Sequence, residues 1–182
     1  MKGLVFNIVE EVVTELYDAD TWDDLLDSVG LDGAYTALGN YGDDQLGRIV
    51  DAAAAVTGTT VTELWRTVGR LALPKLAARL SGVVDDARDA RTFLTSVNDI
   101  IHPEVRTLYP ESRPPIFEFT ESGGDLIVRY RSVRRLDALA EGLMIGCGDL
   151  FGEVVEVTPI PDDDAGPDEA LFSVRIGAGG TP

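Results

Sequence analysis

The stretch PPIFEFTESGGDLIVRYRS, residues 114–132, is the point at which the chain changes from helix-forming to strand-forming sequence. Its two prolines end the helical pattern, because proline lacks the N–H that a helix interior requires. Apolar and polar residues then alternate on either side of Ser122, Gly123 and Gly124, a combination that favours a hairpin turn. The stretch therefore predicts the first hairpin of a β-sheet.

The residues on either side of this stretch complete the predicted fold. Upstream, apolar residues recur at helical spacing. One of these helices is expected to open with a capping box formed by Thr60 and Glu63, and Pro74 is expected to kink or break it. The last helical run, 85–105, carries the chain's single histidine, His102. Downstream, a helix is followed by a second hairpin with an acidic loop at 161–169. The expected fold class is α+β, an N-terminal helical subdomain and a C-terminal ββαββ subdomain with a small antiparallel sheet.

Composition excludes several classes of protein. The net charge of -17 over 182 residues disfavours nucleic acid as a partner, since such a surface repels phosphates. No apolar run reaches the ~18 residues of a membrane span, and the N-terminus lacks the pattern of a signal peptide. A single cysteine, Cys147, excludes an internal disulfide and suits a reducing compartment. We therefore expect a cytoplasmic protein that does not insert into membranes.

Two features suggest a binding site. The first feature is His102, although a lone histidine is most simply structural. The second is a group of three hydrogen-bond donors. Tyr130, Ser132 and Arg134 are spaced two apart, so that in a strand they point to one face, and all three are hydrogen-bond donors suited to an anionic group. The same spacing also fits the ordinary polar face of a strand. Cys147 and His102 suggest a thiol–imidazole pair, but an apolar helical setting for Cys147 argues against an enzyme.

The sequence resembles the heme-nitric oxide/oxygen binding (H-NOX) sensor domains over nearly its whole length. The similar segments are MKGLVFN at the N-terminus, DGAYTALGNY, ELWRTVGR and the Y-x-S-x-R signature YRSVR. The resemblance implies that heme b lies between the two subdomains, with His102 as the axial iron ligand. It also implies that Tyr130, Ser132 and Arg134 bind the heme propionates and that Pro115 presses on the porphyrin.

The same resemblance implies a single domain over 1–182. About 1–60 would form the distal helical subdomain, about 61–178 the proximal helices and sheet, and 179–182 a tail. The expected distal pocket has no hydrogen-bond donor, because oxygen-binding relatives use a tyrosine where Leu139 stands here. The residues expected to line this pocket are Val5, Val9, Ala72, Leu76, Leu139 and Leu143.

These expectations define a function. A five-coordinate ferrous heme would bind NO and CO and ignore oxygen, and NO binding would release His102 and its helix. The signal would pass to a separate protein, by analogy a histidine kinase or a cyclic-di-GMP enzyme. The alternatives are an oxygen-binding H-NOX domain and a heme-free interaction domain with the same fold.

Overall fold

A computed structural model describes residues 1–80 and 87–179. Four helices make up the N-terminal part: α1 Gly3–Leu16, α2 Ala19–Val29, α3 Asp43–Thr57 and α4 Val61–Arg79. Two shorter helices follow, α5 Ala90–Thr95 and α6 His102–Leu108, and a π-helix, Val97–Ile101, separates them. The predicted helical run at 85–105 is therefore three elements, and its first two residues lie outside the described part of the chain.

The C-terminal part has the predicted ββαββ order. Its elements are β1 Ile116–Ser122, β2 Asp125–Arg131, α7 Asp137–Phe151, β3 Glu153–Ile160 and β4 Glu169–Ala178. The four strands pair antiparallel in the order β1-β2-β4-β3, so β1 is an edge strand. Gly123 and Gly124 form the predicted turn, and both have positive φ, which glycine adopts without steric cost. The α+β fold is thus confirmed.

Helix α4 begins as the sequence predicts but does not end at its proline. Thr60 and Glu63 form the capping box, each side chain bonding the other residue's backbone N–H. Pro74 lies inside the helix, which continues to Arg79, so of the expected kink or break the break does not occur. Pro74 has no N–H to donate to the Arg70 carbonyl. This carbonyl packs closely against Gly146 of α7. Helix α4 is therefore in close contact with α7 at the turn that Pro74 leaves without its usual hydrogen bond.

Two apolar clusters form the core. The first joins helices α1 to α4 and contains Phe6, Trp22 and Ile49. The second joins the sheet with α5 and α7 and contains Phe93, Val128 and Met144. Helix α4 belongs to both clusters, since its first half packs in one and its second half in the other. Among the described residues, no helix combines the length and hydrophobicity that a membrane crossing requires.

Helices α4 and α7 pack backbone to backbone. A Cβ atom at Gly142 would lie 2.0 Å from the Arg66 carbonyl oxygen, and one at Gly69 would lie 2.3 Å from the Leu139 carbonyl oxygen. Only glycine allows this approach. Because α4 and α7 both border the gap between the two clusters, their close crossing determines the shape of one side of that gap.

Candidate functional site

A cavity of about 330 Å³ lies between the two clusters, within the usual size range of ligand pockets. Most of its wall is apolar and comes from α1, α4, α5, α7 and β1. Its polar side chains come mainly from residues 109–113 and from the end of β2. The cavity therefore suits a large apolar group that carries polar substituents on one side.

His102, the first residue of α6, lies in the wall of this cavity and is 9% exposed. Its Nδ1 atom is fully buried and has no hydrogen-bond partner among residues 1–80 and 87–179. Burial, with a further contribution from the charge of Arg106, lowers the pKa of His102 to about 4. The imidazole is therefore neutral at physiological pH, which is the form that binds a metal.

The three signature residues all border the cavity, but they do not lie on one strand face as the spacing predicted. Strand β2 ends at Arg131, so Tyr130 is the one signature residue within it. Ser132 follows the strand, and its hydroxyl accepts a hydrogen bond of 3.3 Å from the Arg134 N–H, in the turn that leads to α7. This turn, rather than an extended strand, brings the three side chains to the same end of the cavity. Burial is the main reason that the pKa of Tyr130 is raised, so its hydroxyl remains a donor.

Arg134 is held from two directions. Its Nε donates to Asp43 Oδ2 at 3.0 Å, and its Nη1 donates to the Arg113 carbonyl at 2.7 Å. The same Asp43 carboxylate lies 2.7 Å from the amino group of Met1. Burial raises the pKa of Asp43, but hydrogen bonds from the Met1 amine and Arg134 outweigh this, and the pKa lies below its ordinary value. Asp43 thus stays charged and joins α3, the N-terminus and the signature turn.

Pro115 also lines the cavity, as does Phe117, two residues further along in β1. The Phe117 ring lies 6.0 Å from the His102 ring and 5.5 Å from the Tyr130 ring, measured between centroids. Phe117 also pairs with Tyr130 across the β1–β2 register. This phenylalanine therefore connects the imidazole with the first signature residue.

The predicted distal residues fall into two groups. Val5, Leu76, Leu139 and Leu143 line the cavity. Val9 and Ala72 are buried on α1 and α4, but they are not among the lining residues.

Cys147 of α7 also borders the cavity and is buried. Its Sγ donates to the Leu143 carbonyl at 3.4 Å, and burial raises the pKa of its thiol. The side chains that α1, α4 and α7 present to the cavity are apolar apart from this thiol, which is already engaged within its own helix.

Sequence reasoning missed two residues that organise the site. Asp43 lies 91 positions before Arg134, and acidic residues in the first turn of a helix are common for other reasons. Asn98 lies four residues before His102, and its side chain bonds the backbone of Phe117. Its position in a helix was the one available signal, because asparagine is a weak helix former.

The arrangement matches the chemistry of one class of protein. A neutral, unpartnered imidazole, an apolar cavity, and Tyr, Ser and Arg donors at one end suit a flat metal cofactor that carries carboxylates. The fold and the site thus have the features of a heme-binding protein. The model of the family described as Haem-NO-binding matches residues 2–159, and the chain belongs to that family. Members of this family, the H-NOX domains, are heme-based gas sensors.

Solved structures of H-NOX proteins share the fold. An H-NOX protein from S. oneidensis in the Fe(II)NO ligation state is 27% identical, with a TM-score of 0.88 over 97% of this chain and 99% of that chain. The H-NOX domain from Shewanella oneidensis in the Fe(II)CO ligation state is also 27% identical, with a TM-score of 0.85 over 97% and 98% of the two chains. An unliganded Fe(II) H-NOX protein from K. algicida, 23% identical with a TM-score of 0.84 over 97% of each chain, supports the fold alone. No match was found among curated proteins.

Proposed function

We propose that this protein is a cytoplasmic heme-based sensor that binds NO and CO at a five-coordinate ferrous heme b, with His102 as the single protein ligand of the iron. The observation that carries the proposal is the His102 imidazole, which is neutral and buried in the cavity wall with no hydrogen-bond partner among the described residues. A neutral imidazole in the wall of an apolar cavity is a standard axial ligand for heme iron. When bound, heme would supply an iron that takes a diatomic gas, and His102 would hold that iron.

The polar end of the cavity supports a role in binding the propionates. Tyr130 and Ser132 contribute hydroxyl groups, and Arg134 contributes a guanidinium that Asp43 already orients. Charge-assisted hydrogen bonds of this kind are roughly twice as strong as neutral ones. Pro115, a rigid residue in the same wall, would press on the porphyrin.

The composition of the cavity wall supports the choice of gas. Bound oxygen carries negative charge and needs a hydrogen-bond donor, whereas NO and CO need one much less. Val5, Leu76, Leu139 and Leu143 line the cavity without offering a donor. The oxygen-binding alternative is therefore disfavoured. That H-NOX structures in NO and CO ligation states share this fold is consistent with the proposal.

We propose that the output is a movement of the segment that carries His102. NO binding would release His102, and its helix α6 would shift relative to the α4–α7 side of the cavity, a population shift between two arrangements. A separate protein, a histidine kinase or a cyclic-di-GMP enzyme, would read the change. The heme-free alternative is disfavoured because His102 and the three signature residues all reach one cavity.

The test is the absorption spectrum of the ferrous protein under nitrogen, air, CO and NO. We expect a Soret band that air leaves unchanged and that CO and NO shift. A stable oxygen complex would favour the oxygen-binding alternative, and failure to take up heme would favour the heme-free domain. The variant His102→Gly should lose the ligand that the protein supplies, and added imidazole should restore the five-coordinate spectrum. The variant Leu139→Tyr adds a donor, so it should gain an oxygen complex if Leu139 faces the gas.

A further inference from the structure

The backbone that leads to His102 departs from an α-helix. The Ser96 carbonyl accepts hydrogen bonds from the N–H groups of both Ile100, at 2.9 Å, and Ile101, at 3.5 Å, and the His102 N–H donates to the Val97 carbonyl. Such π-helical turns are rare and occur frequently at functional sites. Pro103 follows and has no N–H, so the hydrogen-bond ladder is interrupted directly after His102. The position of this segment therefore depends on contacts outside the helix.

Asn98, inside the π-helix, makes such a contact. Its Nδ2 donates to the Phe117 carbonyl, and the Phe117 N–H donates to Asn98 Oδ1 at 3.2 Å. Phe117 belongs to the edge strand β1, which has no strand neighbour on its outer side. The Asn98 amide therefore replaces a neighbouring strand for the length of one residue. We call this pair of hydrogen bonds the Asn98–Phe117 clamp.

The clamp joins the parts of the site that would otherwise be separate. On one side it holds the helix that carries His102 four residues later. On the other side it holds the residue whose ring lies 6.0 Å from the His102 ring and 5.5 Å from the Tyr130 ring. Pro115 is two residues before the clamped position and lines the same cavity. Among the described residues, no other side chain from 97–108 makes a hydrogen bond to the sheet.

We propose that Asn98 is a positioning residue for His102: the Asn98–Phe117 clamp fixes the π-helix to β1 and would prevent the imidazole from following the iron away from the side of the cavity that carries His102. The inference rests on the proposed function. A fixed imidazole would lose its bond to the iron when the iron is drawn toward the opposite side of the cavity. An imidazole on a free segment would move with the iron and keep the bond. The clamp thereby makes the His102 contact easy to break when NO binds.

The variants separate the clamp from helix propensity. Asn98→Ala removes both hydrogen bonds, and Asn98→Asp keeps the acceptor for the Phe117 N–H but loses the donor. Asp99→Ala is the matched control, because Asp99 lies in the same π-helix, is exposed, and makes no side-chain hydrogen bond among the described residues. Each full-length protein is loaded with ferrous heme and titrated with NO. The first readout is the ratio of NO complex in which His102 still binds the iron to NO complex in which it does not, taken from absorption spectra. The second is the iron–histidine stretching frequency in resonance Raman spectra of the unliganded protein.

We expect Asn98→Ala to raise the ratio of retained to lost His102 by about fivefold, which is the effect of about one net hydrogen bond. The stretching frequency should rise as well, Asn98→Asp should be intermediate, and Asp99→Ala should match the wild type. A wild-type ratio in Asn98→Ala would overturn the proposal, and so would a shift toward easier loss of His102. If Asn98→Ala fails to fold, Asn98→Asp decides between the same outcomes.

Hydrogen exchange of the apoprotein tests the clamp without heme. Asn98→Ala should speed exchange of the Ile101 and His102 amides by about fivefold, with Asp99→Ala unchanged. Unchanged exchange in Asn98→Ala would overturn the clamp itself. If exchange is faster in Asn98→Ala while no variant takes up heme, the clamp stands and the proposed function fails.

Discussion

The two sides of the cavity hold their backbones in different ways. On one side, which we call the α4–α7 wall, two helices of 19 and 15 residues touch at glycines, and two bidentate ion pairs, Arg66–Glu141 and Arg70–Asp149, join them. On the other side, which we call the His102 segment, residues 97–108 form a five-residue π-helix and a seven-residue α-helix. Within the described part of the chain, Asn98 supplies this segment's side-chain hydrogen bonds to the sheet.

This difference shows which side of the pocket can move. Close-packed helices have few alternative arrangements, because any shift opens voids or creates clashes along the whole contact. We expect a short segment with a π-turn and an internal proline, which lacks such a helix–helix contact, to open at a lower free energy. Its position depends on the Asn98–Phe117 clamp, so a ligand that acts on both sides of the cavity would displace the His102 segment only where it overcomes that clamp. The experiments below test the rigidity of the α4–α7 wall first and the mobility of the His102 segment last.

The largest effect is expected at the glycine contact. In Gly142→Ala the new Cβ would lie 2.0 Å from the Arg66 carbonyl oxygen and 2.9 Å from the Arg70 nitrogen, and both are backbone atoms that no rotamer change can move. We expect the free energy of unfolding to fall by about 3 kcal/mol, measured by urea denaturation.

The control is Gly47→Ala in helix α3, where a Cβ meets nothing within 4 Å. That variant should gain about 0.5–1 kcal/mol, because glycine weakens a helix interior. Equal stability of both variants would show that α4 and α7 are not in backbone contact.

The two ion pairs of the α4–α7 wall should contribute different amounts to the free energy of unfolding. Glu141 is nearly buried, with a side chain 7% exposed, while its partner Arg66 is 35% exposed. Glu141→Ala should cost about 1–2 kcal/mol, less than a fully buried pair, since Arg66 can turn toward water. Asp149→Ala breaks an equally well-formed pair in which both side chains are over 40% exposed, and it should cost at most ~0.5 kcal/mol. Similar losses in the two variants would contradict the assignment of Glu141 to the core of the wall.

An alkaline titration distinguishes the two sides of the cavity in another way. Tyr130 packs against Phe117 on the side of the His102 segment, and burial raises its pKa, whereas the α4–α7 wall contains no tyrosine. The unfolded chain then loses the Tyr130 proton first, at its ordinary pKa of about 10. The stability contributed by this group is complete below that pH and is lost as the pH rises through the folded-state pKa.

Tyr130→Phe should therefore reduce the fall in the free energy of unfolding of the apoprotein above pH 10. Tyr17→Phe, at an exposed position, is the control. The measurement is urea denaturation at a series of alkaline pH values. An unchanged slope in Tyr130→Phe would mean that the hydroxyl is not buried in solution.

The elements that sequence could predict are those set by neighbouring residues. The Gly123–Gly124 turn and the Thr60–Glu63 capping box are local, and both are confirmed. The π-helix before His102 was not predicted, because its register depends on Asn98 bonding Phe117, 19 positions away. The course of α4 through Pro74 was likewise left open between a kink and a break, and the helix is in close contact with α7 there.

The candidate site shows the same division. The signature spacing and the resemblance to H-NOX domains pointed to His102, Tyr130, Ser132 and Arg134, and all four border one cavity. The spacing alone predicted a continuous strand, but the chain turns after Arg131. Asp43 was missed because its bond to Arg134 joins two parts of the chain that no local pattern relates.

The smallest perturbation offers the most direct comparison of the two sides of the cavity. Cys147 lies in the α4–α7 wall and is 1% exposed, and burial raises its thiol pKa. Because only the thiolate reacts, alkylation of Cys147 should require unfolding of the whole protein.

The variant Ile101→Cys, combined with Cys147→Ala, places a thiol in the His102 segment, at a position that is also buried and only 7% exposed. We expect this second thiol to react at least tenfold faster through local opening, after each rate is compared with the global free energy of unfolding measured for the same protein. Alkylation is followed by mass spectrometry over a urea series. Local opening predicts a rate for Ile101→Cys that is nearly independent of urea at low concentrations, whereas the Cys147 rate should follow the global free energy of unfolding throughout. Equal rates with the same urea dependence would mean that the two sides are equally rigid, and a movement confined to the His102 segment would then have no structural basis.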